Sequence, residues 1–202
     1  MTDPDVNWDA VHRSNFESAA FWDVHWIAKA RSLYECAKKL EPDVVAVWDS
    51  YRAKSRNESV ELRPDHFHGT YFMLLSFAVE NLLKAAAVAK HGRQYKEEFR
   101  AKLKFPKELQ KHDLVKLAEF VELKFFANEE DLFRRLTRSA VWYGRYPAPL
   151  EYPEMAGTAT FLDGNEYSVS WFGGKDIERL NVLMRGLPAR LGINERYWQG
   201  AA

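Results

Sequence analysis

Three polar residues spaced four apart, Ser76, Glu80 and Lys84, interrupt an almost wholly apolar stretch of this 202-residue sequence. On a helix this spacing aligns the three side chains along one narrow line, with Glu80 before Lys84 in the order that favours an ion pair. A carboxylate in such a line can act as a general acid or base, and the ammonium group can bind a phosphate. The line is either a polar site set into a core or the one solvated edge of the helix. We favour the solvated edge because charged residues are mostly exposed.

Arg138 and Arg145, on a later helix and just past its end, could join the same charged site. An arginine can hold a phosphate or pair with a buried carboxylate, and Glu80 is the natural partner of Arg138 if their helices meet. We therefore name Glu80 and Arg138 as candidate catalytic residues, and Lys84, Arg138 and Arg145 as candidate ligand-binding residues. The simpler interpretation of Arg138, which we favour, is a structural ion pair inside the fold or on its surface.

Residues 90–111, the basic segment, carry the strongest local excess of positive charge. The segment contains eight lysines and arginines against three glutamates, an excess of five. It is therefore the best candidate for a surface that faces phosphate groups, with Arg93, Lys96 and Arg100 as candidate ligand-binding residues. Because the whole chain is neutral, with 29 basic and 29 acidic residues, a solvated basic loop is the alternative we favour.

The sequence offers no metal or cofactor motif. His66 and His68 form a pair on a turn, but Asp65 is the one carboxylate beside them and no cysteine is near. There is no glycine-rich phosphate loop and no Gly-x-Ser-x-Gly motif, so we expect neither a metal nor a cofactor. The single cysteine, Cys36, fits a reducing compartment, and the acidic N-terminus lacks an apolar run. We therefore expect a cytoplasmic protein.

The elements that position these residues are predicted to be mostly helical. The central one covers residues 65–91, is apolar nearly all round, and is ended by Gly92, which predicts a buried helix. The charged residues in its middle argue against a membrane span. Apolar spacing and capping signals predict further helices over residues 15–40, 42–53, 113–126, 129–143 and 176–186.

The remaining signals concern helix ends and one β-hairpin. Pro42 is predicted to begin the second helix, Asp113 to cap its helix, and Asn128 with Asp131 to form a capping box. Period-two alternation around an Asp-Gly turn predicts a hairpin over residues 158–172. The predicted divisions are a flexible tail at 1–14, a helical bundle at 15–150, and an extension at 151–202 whose hairpin and last helix pack on the bundle.

Three stretches of the sequence are similar to those of one protein family. They are residues 76–85 (SFAVENLLKA), residues 111–117 (KHDLVKL), and the helix containing Arg138 that ends in residues 142–147 (WYGRYP). Together they resemble HEPN-domain proteins (higher eukaryote and prokaryote nucleotide-binding). The resemblance covers roughly residues 15–150 and implies an up-and-down helical bundle, frequent homodimerisation, and roles in RNA processing, phage defence or toxin–antitoxin systems. Catalytic members of the family are metal-independent ribonucleases.

The chain departs from the catalytic pattern of that family, an arginine followed after four to six residues by a histidine late in the bundle. The last histidine is His112, so none follows Arg138, and Tyr143 stands at the expected distance. A tyrosine pKa near 10 is mismatched to acid–base work at pH 7 by about three units, or about 4 kcal/mol. On a regular helix Tyr143 falls with Leu136 and Ala140 on the apolar side, so we predict that it belongs to the core.

Two other histidines are given no catalytic part. Arg63 and His68 match the family spacing, but they lie before the central helix, and we interpret this match as chance. His112 comes directly before the predicted cap at Asp113, and we expect it to do no more than support that turn.

The sequence thus predicts a HEPN-like module without hydrolytic activity that binds nucleic acid, a nucleotide or a partner protein, as a homodimer. One alternative is a metal-independent endoribonuclease with an atypical active site. The other is a purely structural protein-interaction domain, whose contact surface would be the aromatic hairpin with Tyr167, Trp171 and Phe172.

Overall fold

A computed structural model describes residues 6–146, 158–160, 166–168 and 172–199 of the chain. The described part is mostly helical, as the sequence predicts. Its α-helices are α1 (Trp8–Phe21), α2 (Asp23–Ser55), α3 (His68–Lys102), α4 (Leu114–Phe120), α5 (Glu129–Arg138), α6 (Gly174–Arg190) and α7 (Glu195–Gln199). A 3₁₀ turn at Glu108–Gln110 precedes α4, and a π-helix at Ser139–Tyr143 continues α5.

The N-terminal helices differ from the prediction at two places. Helix α1 begins at Trp8, inside the predicted tail, because the Asn7 side chain accepts a hydrogen bond from the backbone N–H of Ala10 and caps it. Helix α2 runs unbroken through Pro42, where a new helix was predicted. The proline removes one backbone hydrogen bond, but the neighbouring Glu41 carboxylate accepts a hydrogen bond from the Tyr71 hydroxyl of α3 at 2.9 Å. Tertiary contacts thus hold the two halves of α2 together.

Helix α3 is the predicted central helix, but it extends beyond its predicted end at Gly92. A Cβ atom on residue 92 would lie 3.3 Å from the carbonyl oxygen of Phe21. The glycine therefore serves the close approach of α1 and is not a helix stop. The helix ends at Leu103, whose φ of 51° is left-handed.

The apolar composition of α3 follows from its burial. Among the described residues, α3 is the one helix with the length and hydropathy of a membrane span, and 67% of its most apolar window is buried inside the fold. Helix α3 is thus the central helix of the bundle, with α2, α4, α5 and α6 packed around it.

The main core joins the last long helix to the rest of the bundle. Ile177, Leu180 and Leu183 of α6 belong to the same buried cluster as the α3 side chains. Phe172, just before α6, stacks on Phe72 of α3 with ring centroids 3.8 Å apart. A second cluster lies at the other end of α3 and contains Ala20, Phe21, Ala87, Val88, Tyr95, Phe99 and Leu109.

The predictions for the N-terminal caps of α4 and α5 had different outcomes. Asp113 caps α4 as predicted, because its side chain accepts hydrogen bonds from the N–H groups of Val115 and Lys116. The predicted capping box at Asn128 is wrong, because Asn128 has a φ of 66° and its side chain makes no cap bond. The Glu129 carboxylate instead accepts the N–H of Phe126.

The segment predicted as a β-hairpin is described only in part. Strand β1 (Thr158–Thr160) pairs antiparallel with strand β2 (Glu166–Ser168), with Ala159 opposite Tyr167. The turn between them and Trp171 lie outside the described residues. Phe172, which was assigned to the same aromatic surface, is fully buried.

Gly144 lies just past the π-helix, where the chain packs closely against α3. A Cβ atom there would lie 2.3 Å from the Met73 Cβ and 2.8 Å from the Gly69 carbonyl oxygen. We predict that Gly144→Ala lowers the free energy of unfolding by about 1–3 kcal/mol, because backbone would have to move. Urea denaturation followed by far-UV circular dichroism measures this change.

The matched control for that variant is Gly186→Ala, in α6. A Cβ atom at residue 186 meets nothing within 4 Å, so alanine should raise stability by about 0.5–1 kcal/mol through helix propensity. Equal effects of the two substitutions would contradict the close contact at Gly144.

Candidate functional site

The polar line of α3 lies inside the core, so the predicted solvated edge is wrong. Glu80 is 5% exposed and Lys84 is 4% exposed. The Lys84 ammonium donates to a Glu80 carboxylate oxygen at 2.7 Å. The hydroxyl of Ser76, fully buried, donates to the Leu136 carbonyl of α5 at 2.7 Å. Burial of this pair was missed because the spacing of charges on a helix does not show which neighbours cover it.

His112 completes this buried pair at the protein surface. Its Nδ1 atom lies 3.1 Å from each of the two carboxylate oxygens of Glu80, and its side chain is 59% exposed. The Asp113 cap fixes the turn that carries His112, and the Leu114 N–H donates to the Thr137 hydroxyl of α5 at 3.0 Å. His112 therefore does more than the predicted support of a turn. Its partner is 32 residues away, and no local pattern could have indicated it.

The contact of Nδ1 with Glu80 orients the His112 ring. When Nδ1 carries its proton and donates it to Glu80, the tautomer leaves Nε2 as the acceptor on the exposed part of the ring. A histidine oriented by a carboxylate in this way can take a proton from a bound group and return it. Lys84 balances the charge of Glu80, and the Trp26 ring lies 5.7 Å from the ammonium nitrogen.

The two arginines lie at the rim of this site and not inside it. Among the described residues, Glu80 is held by Lys84 and His112, and not by Arg138, its expected partner if their helices met. Arg138 is exposed at the end of α5, directly after the Thr137 that holds the His112 turn. The Arg145 guanidinium lies 4.9 Å above the Phe77 ring, and Phe77 is one turn from Glu80 on the same face of α3.

Tyr143 and His68 form a separate pair away from Glu80. The Tyr143 hydroxyl lies 3.0 Å from Nδ1 of His68, which is 5% exposed. Burial raises the pKa of Tyr143 and lowers the pKa of His68, so both groups are held neutral. Twelve residues of helix, about 18 Å, separate His68 from Glu80. Tyr143 is half-buried, and it does not join the Glu80 site.

The basic segment is helical up to Lys102 and a loop beyond, and several of its cations are already paired. Arg100 forms a two-pronged ion pair with Glu17 of α1, at 2.8 and 2.6 Å. Arg93 lies 3.2 Å from Glu97, and its side chain is almost fully exposed. Lys96 is half-buried between them. Of the three predicted ligand-binding residues, Arg100 is therefore the least available.

A cavity of about 520 Å³ opens on the other side of this segment, between the last turns of α3, the following loop and α4. Sequence reasoning missed it, because its aromatic rings come from three separate elements. Its lining residues are His91, Gln94, Tyr95, Glu98, Lys102, Lys104, Phe105, Pro106, Lys107, Glu108, Gln110 and Phe120. The cavity thus combines aromatic rings, lysines and two carboxylates.

Comparison of the chain with known protein families, curated proteins and solved structures finds no match. The likeness to HEPN domains therefore depends on the three stretches quoted above. Within the described residues, no three His, Cys, Asp or Glu side chains come together as metal ligands would.

The buried pair yields a stability prediction. Lys84→Met should lower the free energy of unfolding by about 3 kcal/mol, because Glu80 would keep a buried charge with His112 as its remaining partner. The matched control is Lys90→Met on the same helix, whose exposed pair with Glu122 should contribute little. Chemical denaturation measures both, and equal small effects would show that water reaches the Glu80 carboxylate.

Proposed function

We propose that this protein is a HEPN-like helical bundle that binds single-stranded nucleic acid through the cavity beside its basic segment. The observation that carries this proposal is the meeting of rings and lysines in that cavity. Single strands are bound by aromatic side chains that stack on bases and by cations that follow the phosphates. The cavity provides Phe105 and Phe120 for the first purpose and Lys102, Lys104 and Lys107 for the second.

The charges around the cavity support this proposal. Lys102, Lys104 and Lys107 form no ion pair within the part of the chain that the structure describes, unlike Lys90 and Arg100. A second groove, of about 410 Å³, lies where α1 meets α3 and includes Lys90, Arg93 and Lys96. A strand leaving the cavity could therefore meet further cations along α3. The neutrality of the whole chain makes this local excess the main electrostatic attraction for phosphate.

Two further features of the proposal come from the family resemblance. HEPN-domain proteins frequently form homodimers, and we propose a homodimer here, with RNA as the nucleic acid. A setting in defence or in a toxin–antitoxin pair would add a partner protein. The mostly helical bundle agrees with this proposal.

Replacement of the three cavity lysines tests the proposal. The variant Lys102→Gln/Lys104→Gln/Lys107→Gln should bind a fluorescent single-stranded RNA at least tenfold more weakly than the native protein. The slope of log affinity against log salt should fall by up to about 2, since each phosphate contact on a single strand contributes about 0.7. Fluorescence anisotropy at several salt concentrations measures both quantities.

The matched control replaces three exposed lysines outside the cavity, Lys29, Lys39 and Lys175, by glutamine. This variant has the same change in net charge and should retain the affinity and the salt slope. Equal losses in the two variants would show that binding is unspecific. RNA binding that does not depend on salt would contradict the proposal itself.

A second candidate function, metal-independent RNA cleavage, is favoured by one observation, the contact of His112 with Glu80. The family pattern requires a histidine after Arg138, and none is present. Here a histidine from before Arg138 reaches the surface beside a buried carboxylate. In such a mechanism Nε2 would take the proton of a ribose 2′-hydroxyl, whose oxygen attacks the adjacent phosphorus to form a 2′,3′-cyclic phosphate. The displaced 5′-oxygen would take a proton from water and leave as a hydroxyl.

Cleavage of a mixed RNA pool in EDTA tests this candidate. If His112 is the general base, His112→Ala should reduce the rate by 10² or more, and Arg138→Ala should reduce it if the arginine holds the phosphate. The control is His25→Ala, an exposed histidine of α2. RNA left intact by the native protein, or cleavage that all three variants retain, would exclude this candidate and leave the binding function in place.

A further inference from the structure

We infer that the cavity beside the basic segment selects guanine, through the carboxylates of Glu98 and Glu108. The inference rests on the proposed function, because it names the ligand of the same cavity. A surface that bound phosphate alone would gain nothing from carboxylates. Two of them line this cavity together with Lys102, Lys104 and Lys107.

Glu108 is the carboxylate that a ligand can reach. Glu108 is half-buried at the start of the 3₁₀ turn, and its side-chain carboxylate forms no hydrogen bond or ion pair with the described residues. Glu98 already accepts a hydrogen bond from the Gln94 amide, at 2.9 Å, through one of its two oxygens. A half-buried carboxylate gains most from a partner that donates two hydrogen bonds.

Tyr95 lines the cavity together with both carboxylates. Its ring is 3% exposed, and its hydroxyl has no hydrogen-bond partner among the described residues. Burial first, and then the charges of Glu108 and Glu98, raise the pKa of Tyr95 to about 12. The negative charge of both glutamates is thus felt at the Tyr95 hydroxyl in the wall of the cavity.

The chemistry of the bases decides which ligand fits. Guanine presents two adjacent donors on its Watson–Crick edge, N1–H and the 2-amino group, which match the two oxygens of one carboxylate. Adenine, cytosine and uracil each present one donor beside acceptors, which a carboxylate repels. The rings of His91, Phe105 and Phe120 are half-buried and can cover the face of a base. The lysines can hold its phosphate.

The size of the cavity agrees with one nucleotide. Its volume of about 520 Å³ lies within the usual range for small-ligand sites. The guanine can belong to a free nucleotide or to an RNA chain, since both present the same base edge and a phosphate. Two sets of probes separate these sources, guanosine and adenosine monophosphates on one side, and short RNAs with or without a single guanine on the other.

Calorimetric titration of the full chain with these probes tests the inference. In at least one set, the guanine ligand should bind about tenfold more tightly than the adenine ligand, the usual discrimination by a two-point contact. Glu108→Gln should reduce this preference to about twofold or less, because an amide offers guanine one acceptor in place of two and lacks the charge that repels the acceptors of adenine. Inosine monophosphate, which lacks the 2-amino group, should bind less tightly than guanosine monophosphate.

The control variant is Glu97→Gln, which changes an exposed glutamate paired with Arg93 outside the cavity and should retain the guanine preference. Equal affinity of the native protein for guanine and adenine ligands in both sets would overturn the inference, and so would a preference that Glu108→Gln retains. Salt-dependent binding of adenine-only RNA without any guanine preference would overturn this inference alone, whereas loss of all salt-dependent RNA binding would overturn the proposed function.

Discussion

The Glu80–Lys84 ion pair, enclosed in the core, is the constraint on which the arrangement of the bundle centre depends. Two charges removed from water are stable only when each has a partner with good geometry. Lys84 donates to Oε1 of the Glu80 carboxylate, and His112 Nδ1 lies 3.1 Å from both Oε1 and Oε2. The turn before α4 must therefore stay close to α3, and its attachment to Thr137 of α5 draws a third helix to the same place. A polar contact in the core thus determines which elements meet beside it.

The sequence predicted those parts of the fold that local chemistry decides. The apolar composition of the central helix and the cap at Asp113 are properties of short segments, and both predictions were confirmed. Pro42 and Gly92 were predicted to break helices and did not. A group from a distant part of the chain lies near each of them, the Tyr71 hydroxyl on the Glu41 carboxylate beside Pro42 and the Phe21 carbonyl beside Gly92. Burial of Glu80 and its contact with His112 were beyond local reasoning for the same reason.

Two polar sites of different character lie along α3, one at its middle and one at its last turns. Its middle holds an internal site, in which each charge is compensated and His112 alone reaches solvent. Its last turns hold a surface site, in which lysines remain uncompensated and aromatic rings from neighbouring elements complete the cavity. Residue types at helical spacing indicated the ion pair of the internal site but not its burial, and net charge in a window indicated the basic segment but not the cavity beside it. Neither pattern showed that the segment between α3 and α4 brings His112 to Glu80, or that this segment and α4 form part of the cavity wall.

The π-helix at Ser139–Tyr143 changes the direction of the side chains that follow it in the helix that carries Arg138. A π-turn accommodates one residue more than an α-turn, so each later side chain is rotated by about 100° from the direction that regular periodicity would give it. The regular α-helical spacing that placed Tyr143 on one face with Leu136 and Ala140 therefore does not hold beyond Ser139. With the altered phase Tyr143 meets His68, Gly144 meets Met73, and Arg145 covers Phe77. Helical periodicity is thus a reliable guide to contacts before Ser139, and after it the same count of residues points to a different face.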